Sequence, residues 1–229
     1  MESMKSFAVT LPGARERRKR VTKRDLLVAG RRLFGEQGLY ESRIEDLSRH
    51  AGIAKGTLYG YFSSKQVLIE AVVSAGFSEL LGYTHREVQG AATRSEVVAR
   101  IAEAHLTFFD ENPDLMRIFH QVRGLLKFDR PENPRLRGIL GKYLAGLAHM
   151  LALHRTTRRG RPRTELETAA LLFGAISGVA STRTALSGPA GPGTHLKATA
   201  RAMVELVHGF ESQGGRGSAA AKQRGKGQA

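Results

Sequence analysis

The chain contains no cysteine, which excludes a disulfide framework, a zinc–thiolate site and thiol catalysis. It also lacks a long apolar run. Its most apolar stretch, "AALLFGAISGVA" from Ala169 to Ala180, is shorter than the ~20 residues that span a bilayer. A buried or interfacial helix is expected there, and no membrane partner. No apolar run follows the first basic residue, so no signal peptide is expected, and a cytoplasmic setting suits the missing thiols. Strand-like alternation is almost absent and no period of 20–50 residues recurs, so neither a sheet nor a solenoid is expected. The eight histidines show no HxxxH or other ligand spacing. No nucleophile–base pair, paired-carboxylate site or phosphate loop can be found. No metal, no cofactor, no catalytic residue and no enzymatic activity are therefore expected. Glu103 and Asp110–Glu111 read as a solvated helix face.

Acid is scarce as well. Lys and Arg number 36 against 21 Asp and Glu, a formal net charge of +15 over 229 residues. Such an excess favours an anionic polymer or surface as partner. Hydrophobic residues make up 41%, enough for a proper core. The charge is uneven. "ARERRKRVTKR" near the N-terminus carries seven basic residues and one acid, and "GGRGSAAAKQRGKGQA" at the other end carries no acid. Residues 1–21 read as a disordered basic arm and 214–229 as a disordered basic tail.

Between them helix punctuation recurs. Thr22–Asp25 has the form of a capping box, with Val21 and Leu26 as its staple. The helix it starts carries Leu26, Leu27, Gly30, Leu33 and Phe34 on one face, and Gly38 is placed to end it as a left-handed C-cap. Ser42–Glu45, Ser63–Gln66, Thr93–Glu96 and Thr164–Glu167 repeat the box. Asn112-Pro113 and Asn133-Pro134 offer an Asn N-cap with Pro at the first helical position. These starts predict an all-α chain of about nine helices, the last beginning near Thr194.

The second and third helices are short. Ile44, Leu47 and Ala51 point inward on one, Gly52 suits a turn residue with positive φ, Ile53 anchors the turn, and Leu58 and Phe62 point inward on the next. Two short helices joined by a glycine turn make a helix-turn-helix. Lys55, Gly56, Tyr59 and Gly60 then lie on the outer face. The glycines let the backbone approach base edges, Lys55 can donate to guanine O6/N7, and Thr57 can meet a thymine methyl or a phosphate. Tyr59 and Tyr61 can donate to phosphates. Lys65, in the first turn of the following helix, opposes the helix dipole, a placement that makes sense beside an external anion.

The run "TKRDLLVAGRRLFGEQGLYESRIEDLSRHAGIAKGTLYGYFSSKQVLI" resembles the N-terminal domain of the TetR (tetracycline-repressor) family of transcriptional regulators, over nearly fifty residues in unbroken register. The resemblance implies that Lys55, Gly56 and Thr57 open a recognition helix and that Tyr59, Tyr61 and Lys65 meet the DNA backbone. Three positions depart from the family pattern. Arg43 stands where Thr often contacts phosphate and could still hold one, with Ser42 supplying the cap. Ala54 replaces the usual capping Ser, and Gly60 replaces a larger side chain.

The resemblance further implies a helix-turn-helix domain at 22–67 and a helical effector-binding and dimerisation domain at 68–213. There, Ala170, Gly174 and Gly178 recur every fourth residue, and Met203, Leu206, Val207 and Phe210 lie on an apolar stripe with Leu196. These two segments are the expected homodimer interface, a four-helix bundle across a two-fold axis. A pocket for a small apolar effector is expected from Phe108, Phe109, Met116, Phe119, Leu144 and Leu147, with His105, His120 and Tyr143 as polar contacts. The same residues could equally form plain core. The basic run His154–Arg163 reads as a solvated loop. The expected function is a dimeric regulator, most simply a repressor, bound to a pseudo-palindromic double-stranded operator and released by its effector. The alternative is a non-specific DNA-coating or nucleoid-type protein driven by its basic tails.

Overall fold

A computed structural model describes residues 22–125, 133–153, 165–187 and 196–214. Both basic ends, Val21, Thr164 and the run 154–163 lie outside the described residues. Within them the fold is all-α, with nine helices and no strand. In order these are α1 (Lys23–Gln37), α2 (Ile44–His50), α3 (Lys55–Tyr61), α4 (Lys65–Glu87), α5 (Arg94–Glu111), α6 (Pro113–Leu125), α7 (Pro134–Ala152), α8 (Glu165–Ser187) and α9 (Leu196–Gly214).

The capping box at Thr22 forms. The Asp25 N–H donates to Thr22 Oγ1 at 3.2 Å, and Asp25 Oδ2 accepts from the Thr22 N–H at 2.9 Å. Leu26, Gly30, Leu33 and Phe34 are buried, as their spacing requires. Gly38 ends the helix with φ 89° and ψ 161°, so it has positive φ but is extended rather than left-handed helical. Two other boxes start one residue later than expected. Arg43, not Ser42, is the N-cap of α2, and its N–H reaches Asp46 Oδ2 at 3.4 Å. Ser42 is buried, and its hydroxyl has no hydrogen-bond partner. Ser64, not Ser63, caps α4 by accepting from the Val67 N–H at 3.2 Å. The asparagine caps also differ. Asn112 donates its side-chain amide back to the Phe108 carbonyl of α5, and Asn133 makes no side-chain capping bond.

Helix α4 passes through the middle of the bundle and packs on α1, α5, α6 and α7. By length and composition alone it could cross a membrane. Here Leu68, Val72, Val73, Phe77 and Leu80 are turned into the core. Gly76 makes room for α6. A Cβ there would lie 2.7 Å from Leu115 Cδ2. Helix α6 is in turn locked to α1. Arg31 donates to both oxygens of Asp114 at 2.5 and 2.9 Å, a bidentate pair, and to Asn112 Oδ1 at 2.6 Å. Gln121 Oε1 accepts from the Leu39 N–H at 2.7 Å. Gly35 lets the two helices approach closely, because a Cβ there would sit 2.6 Å from Asp114 Cβ and 3.0 Å from its Cα. The far end of the bundle is tied by buried Arg94 of α5, which donates to the Leu151 carbonyl at 2.6 Å, to Glu165 at 2.8 Å and to Glu211.

The core between these ties is aromatic. Phe77 stacks on Phe119 with ring centres 4.1 Å apart, and Tyr143 lies 4.7 Å from Phe77 and 5.1 Å from Phe173. One polar pair is embedded in it. His105 Nδ1–H donates to the Ile101 carbonyl at 2.7 Å, which leaves Nε2 to accept from the Tyr143 hydroxyl. Burial pushes the His105 imidazole down to about 4 and raises the Tyr143 phenol. An unfolded chain protonates this histidine near pH 6.5, and the folded one resists until about pH 4. The unfolded state therefore binds more protons in that window, and stability falls as pH drops through it. His105 should contribute about 3 kcal/mol to this loss. Urea unfolding between pH 7 and 4 checks it: His105→Gln should show a shallower decline than the wild type.

Candidate nucleic-acid interface

The turn between α2 and α3 is set by Gly52, with φ +63°, and by the Ile53 N–H donating to the Ser48 carbonyl at 3.0 Å. Ile53 packs against the core and pins the turn. Helix α3 then runs for seven residues, oriented by two anchors: Leu58 and Phe62 are 0% and 1% exposed. Everything else on it faces out. Lys55, Gly56, Thr57, Tyr59, Gly60 and Tyr61 are all exposed, the two tyrosines at 39% each. Neither Gly56 nor Gly60 needs to be glycine for the fold. Both have ordinary φ, and a Cβ on either would meet nothing within 4 Å. Glycine in a helix interior costs about 1 kcal/mol against alanine. Two in one short helix, with no internal reason, leave bare backbone available to something outside.

Two pairs of charged side chains on this face meet each other. Lys55 Nζ lies 2.6 Å from Glu45 Oε1 of α2 and 5.9 Å from the centre of the Tyr59 ring. The hydrogen bond with Lys55 holds the Glu45 carboxyl below its usual range, and Glu45 in turn raises the lysine. Arg49 pairs with Asp46 at 2.8 Å. Arg43 is exposed at the α2 N-cap. Lys65, the first residue of α4, is half-buried and donates to the Tyr40 carbonyl at 2.9 Å. Burial lowers its pKa, against the opposing pull of Glu41. It ties the start of α4 to the turn before α2. The sequence placed Glu45 in a capping box and not beside Lys55, because the pair spans a turn, where no spacing rule brings two side chains together.

The expected effector residues divide. His105, Phe108, Phe109, Met116, Phe119, Tyr143 and Leu147 are buried, and Leu144 is half-buried against the same core. His120 is exposed and faces Ser181 at 3.3 Å, outside the cluster. Two members the sequence did not single out, Phe77 and Phe173, sit at its centre. A groove of about 470 Å³ opens elsewhere, between α5 and α9, and none of the expected effector residues lines it. The expected interface residues divide too. Ala170 and Leu206 are exposed, and Gly174, Gly178 and Phe210 are partly so. Met203 and Val207 are buried within the single chain and serve its own core. Among the described residues no group of three metal-binding side chains forms.

Comparison with known proteins gives three kinds of likeness. A family model described as "Bacterial regulatory proteins, tetR family" matches residues 26–72. The nucleoid occlusion factor SlmA of Actinobacillus pleuropneumoniae (strain L20) is 28% identical over 120 residues, 52% of this chain and 57% of that protein. The chain thus spans little more than half the length of the curated relatives it matches first. Among solved structures, FadR from Bacillus subtilis in complex with stearoyl-CoA superposes with a TM-score of 0.63 at 19% identity, over 80% of this chain and 95% of that one. The TetR family transcriptional regulator PfmR from Thermus thermophilus gives 0.57 at 21%, over 82% and 96%. At these identities the structures share the fold.

Helix α3 starts without a side-chain cap: Ala54 has the extended N-cap backbone, φ −66° and ψ 144°, but no oxygen to offer. Ala54→Ser should therefore stabilise the protein by about 1 kcal/mol. Thermal unfolding reads the gain, and slower amide exchange at Gly56 and Thr57 would locate it.

Proposed function

We propose, from the match of residues 26–72 to the tetR family of bacterial regulatory proteins, a homodimeric repressor that binds a pseudo-palindromic operator and is released by an apolar effector. One observation carries the DNA-binding part: the exposed face of α3 is turned outward by the burial of Leu58 and Phe62. In a major groove, Lys55 would donate to guanine and Thr57 would meet a methyl or phosphate, while Gly56 and Gly60 let the backbone approach. Tyr59, Tyr61, Arg43 and Lys65 would hold phosphates and fix the register. Two such helices, one from each protomer, would read two half-sites a helical turn apart.

The aromatic cluster is the proposed effector site. Its composition suits an apolar ligand, with the His105–Tyr143 pair as the polar point of contact. The stearoyl-CoA bound by FadR supports a ligand with a long acyl chain. Helix α6 joins this cluster to the reading unit, with Phe119 on one side and the Arg31–Asp114 clamp on the other. An effector acts only by binding one arrangement of these helices better than the other. The setting is cytoplasmic.

The likeness to a nucleoid occlusion factor favours a second reading, a nucleoid-type DNA-binding protein. Affinities for an enriched site and for random duplex at matched salt separate the two. Equal affinities would favour the second.

Tyr59→Ala and Lys65→Ala should each weaken operator binding about tenfold in a gel-shift series, as loss of a phosphate contact implies. Unchanged affinity in both would refute their assigned roles. The dimer has its own test. Beyond its own helix backbone and chain neighbours, no atom of the described residues lies within 4 Å of a Cβ on Gly174, so Gly174→Leu should leave the unfolding midpoint nearly unchanged. Sedimentation equilibrium should nonetheless find it monomeric. A dimer as tight as the wild type would place the interface elsewhere.

A further inference from the structure

In a chain of net charge +15, the face around α2 and α3 carries carboxylates beside its cations, with only Arg43 at the α2 N-cap left over. Arg49 is held by Asp46 at 2.8 Å and Lys55 by Glu45 at 2.6 Å, and Glu41 lies near Lys65. A surface built only to hold phosphates would not carry three carboxylates. Each acid weakens the sequence-independent attraction that counterion release supplies.

The position of Glu45 matters most, because its partner is the cation at the start of the outward-facing helix. Both side chains are exposed, Lys55 at 58% and Glu45 at 44%, and they meet through solvent-facing atoms. The pair therefore presents a donor and an acceptor side by side. The major-groove edge of a G·C pair presents the complement, the O6 acceptor of guanine beside the N4 donor of cytosine. Thymine O4 beside adenine N6 offers the same order, but there a methyl stands where guanine gives the lysine N7 as a second acceptor, and against phosphates the carboxylate is repelled.

On the DNA-binding reading above, we infer that Glu45 is a specificity-determining residue: with Lys55 it forms a unit that reads a G·C pair, and it suppresses binding wherever that pair is missing. At random sequence Lys55 remains neutralised and contributes little counterion release. At the correct base pair both groups gain partners and the carboxylate is no longer a liability.

The test begins by enriching binding sites from a random duplex library with the wild-type full chain. Affinities for the enriched site and for random duplex are then measured across a salt series, with wild type, Glu45→Gln and Glu45→Ala. The wild type should prefer the enriched site by about 1,000-fold or more. Glu45→Ala should bind random duplex on the order of five- to tenfold more tightly, and its salt slope should steepen by about 0.9, one released counterion. Its preference for the enriched site should fall at least tenfold, and enrichment repeated with it should lose a G·C position. Glu45→Gln removes the charge but keeps the shape, so it should reproduce the salt effect while retaining part of the base preference. A preference within twofold of wild type in both variants overturns the role of Glu45 and leaves the DNA-binding function intact. A wild type that prefers no sequence overturns the operator reading itself, and this inference with it.

Discussion

Leu58 and Phe62 are four residues apart and both are withdrawn from solvent, and their burial decides which way α3 faces. A seven-residue helix is too short to be stable alone. Its orientation is set by where its two apolar side chains go, and Leu47 and Leu26 of the preceding helices lie in the same core. With those contacts in place, the remaining positions of α3 face outward without any choice. Replace either anchor by a polar residue and the outer surface loses its definition before any DNA contact is changed.

The rest of the molecule is organised around holding that small unit. Helix α4, capped by Ser64, begins under it at Lys65 and continues for 23 residues into the aromatic core. Helix α6 spans the same two regions by a different route. Its Asp114 and Gln121 meet α1 and the turn that follows, and its Phe119 stacks in the core. The unit is therefore attached at two places to a body whose interior is largely rings around a single hydrogen-bonded His–Tyr pair. A change in how those rings pack has two mechanical outlets, and both lead to α1–α3.

The sequence was most legible where structure is decided locally. The Thr22 box and the Gly52 turn rest on contacts within a few residues, the inward Leu58 and Phe62 were marked by their four-residue spacing, and all are present. The caps at Ser42 and Ser63 were misplaced by one residue for an equally local reason. Each has a neighbour able to take the N-cap backbone, and Asp46 competes with Glu45 for the reach back to it. Side-chain partners across a turn or between distant helices could not be read. Glu45–Lys55, Lys65 with the Tyr40 carbonyl, and Arg31 with Asp114 depend on how helices cross. The apolar stripe of α9 was correctly identified as apolar. Its division between inward Met203 and Val207 and outward Leu206 depends on α5, whose packing against α9 no local pattern encodes.

Gly35 carries a mechanical implication. Its missing side chain lets α1 close on the first turn of α6, where any Cβ would collide with Asp114 Cβ and Cα, beside the bidentate grip of Arg31 on Asp114. Backbone cannot rotate out of the way as a side chain can, so this joint has almost no slack. A displacement of α6 is therefore passed on to α1 rather than absorbed between them, which makes the connection a stiff link and not a soft cushion between two halves.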